Sequence, residues 1–391
     1  MVLLTNEEQK MLDGKLGEAV QQSMEILYAL AKIYNAEKFI SVSSAQIAGV
    51  SYKTIGDAGL EYLEDLVNKK AKVKIPSFLN PAGMDRLQWK EMKIPEDFAK
   101  NQLKILEAYI SMGIKSTCTC TPYFIGIIPK LKEHIAWSES SAVSFANSVL
   151  GARTNREGGP SALAAAICGI TPYYGLHLDE NRISNLVIKV ESELKTSNDF
   201  GAMGYALGSK IKGKIPSFKQ INHASHDNLK SLGAAMAATG SVPLYYVENI
   251  TPEFILGDSP EEIAFEQKEL NEIKEKLNSD STPELIAIGC PHASLDEIKK
   301  VAELVKNKKL KCELWICTSS EIKEKSKEFE KIINQAGGKI IADTCMVVCP
   351  IEEIGYKITG VNSGKAAKYL PGFNKQKIVF GDLEKLIKNA T

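Results

Sequence analysis

Apolar and polar positions alternate with two different periods along this chain, and the switches between them mark its elements. Helical spacing comes first. Thr5-Asn6-Glu7-Glu8 opens a helix, with Thr5 as its cap and Glu8 completing a capping box. Further helices are predicted over 17–34, over 95–112 with Gly113 ending it, over 142–150, and from Ser161 through Cys168. Phe39–Val42 and the run around His134–Trp137 read as strands, and Val73–Asp85 as a strand stopped by Asn-Pro and Ala-Gly. Residues 46–51 read as a small-residue loop beyond Phe39–Val42, with a turn at 138–141 and a loop at 151–160. The charged stretch 257–281 reads as a helix followed by a linker around 279–282.

Past residue 282 the pattern becomes regular: strand 285–289, helix 294–307, strand 312–317, helix 320–336, strand 338–342. Strands alternating with helices of this length imply a parallel sheet. Residues 283–391 are therefore expected to form a Rossmann-like α/β domain, and 1–282 an N-terminal α/β region of two subdomains. One short repeat stands out: Lys74-Ile-Pro-Ser-Phe78 recurs as Lys214-Ile-Pro-Ser-Phe218, each leading into an Asn-containing loop.

Composition narrows the class of partner. With 44% hydrophobic and 25% charged residues the chain is of the soluble globular kind. Lys plus Arg equals Asp plus Glu at 48 each, so no net field recruits nucleic acid or an acidic membrane. The N-terminus lacks the basic and apolar stretches of a signal peptide, and no run approaches the ~20 apolar residues that span a bilayer. The expected setting is the cytoplasm, where eight cysteines are buried, metal-binding or catalytic rather than bridged. Arginine is rare, yet Arg153 and Arg156 fall within one short loop, where a planar fork could clamp a carboxylate or phosphate or simply pair at the surface.

Nucleotide motifs are absent: no G-x-G-x-x-G follows a strand, and Gly364-Lys365 is followed by Ala366 at the wrong spacing for a P-loop. Nor is there a C-x₂-C pair for structural zinc, or a ferredoxin pattern. Cys120, Cys290 and Cys345 remain, each just past a strand-like run beside Pro, Gly or Thr. Open α/β sheets place ligands beyond the carboxyl ends of their strands, so the three could converge on one point. Three thiolates are one short of the four that hold an electron-transfer iron–sulfur cluster, which would leave one iron open to substrate. The competing reading is three small buried hydrophobes, and Cys168, Cys312 and Cys317 read as packing of that kind. Other strand-end loops carry suitable groups: Gly49-Val50-Ser51 could offer N–H donors and a hydroxyl, and Asn80-Pro81 ends a strand. Glu139-Ser140 offers a carboxylate for proton transfer, and Lys365 suits an anion at a helix start, or solvent.

Jointly, several motifs resemble the aconitase X family over nearly the whole length. They are Ser44-Ala-Gln-Ile-Ala-Gly-Val-Ser51, Leu79-Asn-Pro-Ala-Gly-Met-Asp85, Cys118-Thr-Cys-Thr-Pro-Tyr123 and Trp137-Ser-Glu-Ser-Ser-Ala142. Asn147–Arg153, Asn155–Pro160, Leu232–Ala235, Gly289-Cys-Pro-His292, Asp343-Thr-Cys345 and Asn362-Ser-Gly-Lys365 continue them. The likeness is to the split archaeal type, in which a large subunit stands alone. It implies an aconitase-like multidomain α/β architecture and an iron–sulfur hydro-lyase. Split enzymes of the family dehydrate (R)-5-phosphomevalonate to trans-anhydromevalonate 5-phosphate in the mevalonate route to isoprenoids. Fused chains with an extra swivelling domain, for which the end at Thr391 leaves no room, dehydrate a hydroxyproline. By the resemblance, Cys120, Cys290 and Cys345, with Cys120 preferred over Cys118, hold a 4Fe–4S cluster with one open iron. Gly49, Val50, Ser51, Asn80, Pro81, Glu139, Ser140 and Lys365 contact substrate. Glu139 and Ser140 are the candidate catalytic residues, Glu139 protonating or positioning the departing hydroxyl. The base is implied to be a serine of a separate small swivelling subunit, making a heterodimer. The alternatives are a dehydratase of another small hydroxy acid, such as a hydroxyproline, and a non-catalytic metal-braced scaffold.

Overall fold

A computed structural model describes residues 2–211, 213–279 and 281–391. Met1, and Asp280 of the expected linker, lie outside the described residues.

Helices α1 (Asn6–Leu12) and α2 (Glu18–Ile33) open the first unit, and Thr5 and Glu8 form the expected capping box. Strand β1 (Phe39–Ser41) pairs antiparallel with β5 (Ile170–Pro172), apart from the main sheet. That sheet is parallel, with β2 (Ala45–Ile47) between β3 (Ser77–Leu79) and β4 (Ala136–Trp137). Its helices are α3 (Tyr52–Asn68), α4 (Glu96–Ser111), α5 (Ser140–Ser148) and α6 (Gly159–Cys168). The sequence reading is corrected here: β2, taken as loop, and not Phe39–Val42, delivers the chain to Gly49–Ser51. Gln46 disguises it, a polar residue at the centre of a fully buried strand. Its amide donates to the Thr119 carbonyl at 3.1 Å and accepts the Glu139 N–H at 3.3 Å, so burial leaves both ends satisfied.

The middle unit is a second parallel sheet, β6 (Ser184–Val190), β7 (Pro216–Lys219), β8 (Tyr246–Val247) and β9 (Leu256–Phe265), in the order β8-β7-β6-β9. Helices α7 (Ser197–Ile211), α8 (His226–Gly240) and α9 (Gln267–Leu277) accompany it. Residues 256–265 correct the expected helix from 257. β9 is an edge strand paired only with β6, so Asp258, Glu261 and Glu262 face solvent and no apolar alternation betrays it. Pro260 is tolerated because an edge strand needs no donor on its open side.

The third unit follows the expected alternation through its first three strands and adds two more, making a five-stranded parallel sheet. Its strands are β10 (Leu285–Ile288), β11 (Glu313–Thr318), β12 (Gly338–Ala342), β13 (Ile358–Val361) and β14 (Lys377–Phe380), in the order β12-β11-β10-β13-β14. Helices α10 (Leu295–Val305), α11 (Ser320–Lys325), α12 (Lys327–Ala336), α13 (Ile351–Ile354), α14 (Gly364–Asn374) and α15 (Leu383–Ala390) surround it. The single helix expected over 320–336 is broken at Ser326, whose hydroxyl turns back to the Lys323 carbonyl at 2.9 Å.

All three units share one winding. The first strand is central, the second and third lie on one side and the fourth on the other. In the first unit a single bridge, Phe78 with Lys115, stands for the third strand. Both Lys-Ile-Pro-Ser-Phe segments run into the second strand of their unit. The carboxyl ends of the first and third sheets meet. Ala82 bridges Thr344, Cys345 N–H donates to the Ala82 carbonyl at 3.0 Å, and the Asp85 carboxylate accepts the Ala342 N–H at 2.9 Å. The middle unit packs from the side through α7 and α8. At Gly364 a Cβ would lie 2.4 Å from the Gly201 carbonyl, so only glycine lets α14 start this close to α7. No described helix is long and apolar enough to cross a membrane.

Candidate active site

The meeting of the two sheets brings the strand-end loops together. From the first unit come Gly49-Val50-Ser51 after β2, Asn80-Pro81 after β3, Cys120 beyond the Lys115 bridge, and Glu139-Ser140 after β4. The third unit supplies Cys290 after β10, Cys345 after β12 and Lys365 after β13. β10 and β13 flank the point where the winding reverses, the place such sheets reserve for ligands. Gly289, at φ +98°, makes the turn into Cys290; a Cβ there would lie 2.1 Å from the Cys317 carbonyl.

Glu139 and Lys365 join the two halves. Both are buried, and Lys365 Nζ donates to Glu139 Oε1. The carboxylate also accepts Ser140 Oγ at 3.1 Å, Ser141 Oγ at 2.5 Å and the Ala142 N–H at 2.7 Å as the cap of α5. Burial opposes its ionisation, but the ammonium and these donors outweigh that and hold its pKa at about 2. The solvated alternative for Lys365 is thereby excluded: its charge is kept by Glu139 against burial.

The thiols share this environment. Burial pushes Cys120 far above the ordinary thiol range, Cys290 up to about 12, and Cys345 up as well. Lys365 opposes the rise in all three, and Cys345 is near enough to raise both of the others. Cys118 is also buried, but its charged neighbours are Asp343 and Arg86, so it faces away from this group. Cys317, read as packing, does sit in β11, yet the same thiols and Cys349 raise it further, which places it close by. Among the described residues no three His, Cys, Asp or Glu side chains are grouped so as to hold one metal ion. Three thiols are the kind of donor an iron–sulfur group takes, each sulfur meeting a different iron atom.

Further groups line the site. Ser51 caps α3 and donates to the Val348 carbonyl at 2.9 Å, tying this loop to the third unit. Val50 O accepts from Gln102 at 2.7 Å, and Asn80 N–H donates to the Ile47 carbonyl at 2.9 Å. Asn80 Oδ1 and the Tyr123 hydroxyl are buried without a partner among the described residues, unusual for such groups unless a ligand or water completes them. Helices α3, α5 and α14 all begin here, so three N-termini add positive potential.

The arginine reading is corrected. Arg153 is buried away from the thiols, its fork closed on Glu253 at 2.7 and 2.9 Å, with Asp179 at 2.9 Å and Arg182 beside it. Its planar geometry recognises a carboxylate, but one belonging to this chain. Arg156 is exposed. Sequence reasoning missed Gln46 and His292. His292 had a signal, as the histidine two residues beyond Cys290, while Gln46 had none because its role is read only from its partners.

Comparison with known proteins follows the same division into units. Models of the aconitase X first, second and third domains match residues 1–180, 184–275 and 283–391. The chain is 54% identical to the phosphomevalonate dehydratase large subunit of Methanocaldococcus jannaschii, covering 98% of this chain and 99% of the relative. A crystal structure of Thermococcus kodakaraensis aconitase X in its holo-form matches with a TM-score of 0.94 at 47% identity, covering 100% of each chain. More distant is cis-3-hydroxy-L-proline dehydratase of Pseudomonas aeruginosa, 31% identical over 98% of this chain and 69% of that one.

Proposed function

The chain belongs to the aconitase X family, and from that premise we propose that it is the large subunit of a hydro-lyase acting on (R)-5-phosphomevalonate. The product is trans-anhydromevalonate 5-phosphate. The observation that carries the reading is the buried Glu139–Lys365 pair, set between two sheets within reach of three thiols.

Cys120, Cys290 and Cys345 would hold the iron–sulfur group. When bound, it supplies an iron with a free position, a Lewis acid for the hydroxyl to be lost. The rest falls to side chains. Lys365 and the starts of α3, α5 and α14 favour an anionic substrate, as a phosphorylated acid is. Asn80 Oδ1, which no protein group satisfies among the described residues, accepts a substrate hydroxyl. Glu139, held at a pKa of about 2, has no proton to give at neutral pH, so it orients Lys365 and Ser140 instead of acting as an acid. Held by Lys365, two hydroxyls and an N–H, it is also a poor base. As the family resemblance implies, we assign proton abstraction to a serine of a separate small swivelling subunit, in a cytoplasmic heterodimer where thiols stay reduced.

An anaerobic assay tests this. This chain reconstituted with iron and sulfide and mixed with the small subunit is expected to dehydrate (R)-5-phosphomevalonate, and neither subunit alone to do so. Turnover of cis-3-hydroxy-L-proline in its place would move the reading to the other branch of the family. A loaded chain whose spectrum ignores both substrates would mark a metal-braced scaffold.

A further inference from the structure

His292 lies two residues beyond Cys290 and is 1% exposed. Its contacts reach both of the other thiol-bearing loops. The main-chain N–H donates to Cys120 Sγ at 3.2 Å. Nε2 lies 2.9 Å from the carbonyl of Thr344, the neighbour of Cys345. A carbonyl can only accept, so Nε2 carries the proton, and in the neutral ring Nδ1 is left as the acceptor. Thr119, the neighbour of Cys120, sits 3.1 Å from Nδ1 and must donate its hydroxyl proton. Thr119 Oγ1 in turn accepts the Thr121 N–H at 3.1 Å and lies 3.2 Å from the Thr121 hydroxyl, which can donate to it. The His292 carbonyl accepts from the buried Lys230 at 3.2 Å, so the residue is held from a fourth side by the middle unit.

We propose that His292 is the positioning residue that sets the spacing of the three thiols, its imidazole clamping the Cys120 and Cys345 loops onto the Cys290 loop. The proposal rests on the reading of these thiols as iron–sulfur ligands. Groups of this kind, which orient ligands without touching metal, are worth about 10–100-fold in metal affinity. Hydrogen bonds to ligand sulfurs also help set a cluster's potential. Replacing the side chain leaves the N–H donor to Cys120 in place, so substitution isolates the two imidazole bonds.

The test uses the full chain with its small subunit, loaded anaerobically, and the iron-free chain in parallel. His292→Ala is expected to lose iron to a chelator about 10–100-fold faster than wild type, with an altered electron paramagnetic resonance signal. His292→Gln, which keeps an N–H near Nε2, should recover part of both. Thr119→Val, which removes only the hydroxyl donor, should show a smaller change in the same direction. In the iron-free chain, alkylation mapped to Cys120 and Cys345 should be faster in His292→Ala. Unchanged iron loss, signal and alkylation in His292→Ala would overturn the clamp. Should that variant not unfold cooperatively, Thr119→Val decides alone, and wild-type behaviour there overturns it equally. Faster alkylation with no iron held by any protein, wild type included, would keep the clamp and overturn the cluster reading instead.

Discussion

In the first unit the fourth strand runs into Glu139, which caps α5; in the middle unit it runs into Glu266, which precedes α9 in the same way. The second strands match too: each is entered by Lys-Ile-Pro-Ser-Phe and left through an asparagine loop, at Asn80 and at Asn222. Yet Glu139 is buried against Lys365 while Glu266 is exposed, and Asn80 has a buried unpaired oxygen while Asn222 faces solvent. What differs is the neighbour. The first sheet's carboxyl ends abut those of the third sheet, through Ala82–Thr344, Ser51–Val348 and Glu139–Lys365. The middle sheet's ends open on a cleft of about 280 Å³ whose lining includes Ser192, Gln220, Asn222 and His223, all of the middle unit. The shared winding makes a set of loops; a second unit closing over them removes water, and with it the screening that would leave these charges ineffective.

The comparison breaks most sharply at the thiols, which only the apposed units bring together. Cys290→Ser is expected to abolish the brown iron–sulfur absorbance and all turnover while the protein stays soluble. Cys168→Ser, at the buried end of α6, should keep both. Anaerobic absorbance and the coupled-subunit assay read the two together, and a loaded, active Cys290→Ser protein would remove Cys290 from the ligand set.

The next effect is at the paired acids. Glu139→Gln should lower kcat/KM by about 10²–10³-fold, the size seen when an oriented polar group is lost from a closed site. Glu266→Gln should stay within about twofold, as exposed substitutions do. Lys365→Met should destabilise the iron-free chain by about 3–5 kcal/mol, because Glu139 is left buried and unpaired. Adding Glu139→Gln should restore most of that stability but none of the activity, since an uncharged pair packs without binding an anion. Urea unfolding and initial rates on the four proteins complete the cycle. Equal losses for Glu139→Gln and Glu266→Gln would make the apposed sheets irrelevant to activity.

Acid should separate the same pair. The folded pKa of Glu139 is about 2 against an ordinary 4.5, so its contribution is present above about 4.5 and is lost as pH falls toward 2. Lys365 has the opposite sign: its pKa is raised, so its contribution is present below 10.5 and is lost only in stronger alkali. The stability gap between wild type and Glu139→Gln, measured by urea unfolding of the iron-free chain, should therefore be constant from pH 5 to 9 and narrow below pH 4.5. A gap that does not narrow in acid would mean that Glu139 is not ionised in the fold.

Legibility in the sequence follows the same boundary. The first three strands of the third unit could be read because they are almost wholly buried and so appear as apolar runs; β13, interrupted by Thr359 and Gly360, and β14 were not read. β2 and β9 could not: a buried glutamine interrupts one, and an open charged edge hides the other. Among candidate residues, cysteines past strand ends were visible as chemistry wherever they lay. The role of Glu139 was open because acid and anchor differ only by its partner, and Lys365 lies 226 positions away. Arg153 misled for the same reason, since its carboxylate partner, Glu253, is 100 positions off. Local pattern reports what a residue can do; distant partners decide which of those things it does.

The smallest expected difference falls on the repeated segment itself. Asn80→Ala should raise KM for the phosphorylated substrate about tenfold, the worth of one hydrogen bond of roughly 1.4 kcal/mol, with kcat little changed. It should not weaken the iron-free fold through Oδ1, because that atom has no protein partner to lose. Asn222→Ala, after the second copy, should leave KM within about twofold, as an exposed substitution does. If Asn222→Ala raised KM as much as Asn80→Ala with the small subunit saturating, the middle sheet's open end would have to face substrate as well. Equal, negligible effects of the two would instead mean that the buried oxygen of Asn80 meets water, and that the Lys-Ile-Pro-Ser-Phe segments serve only to set their strands.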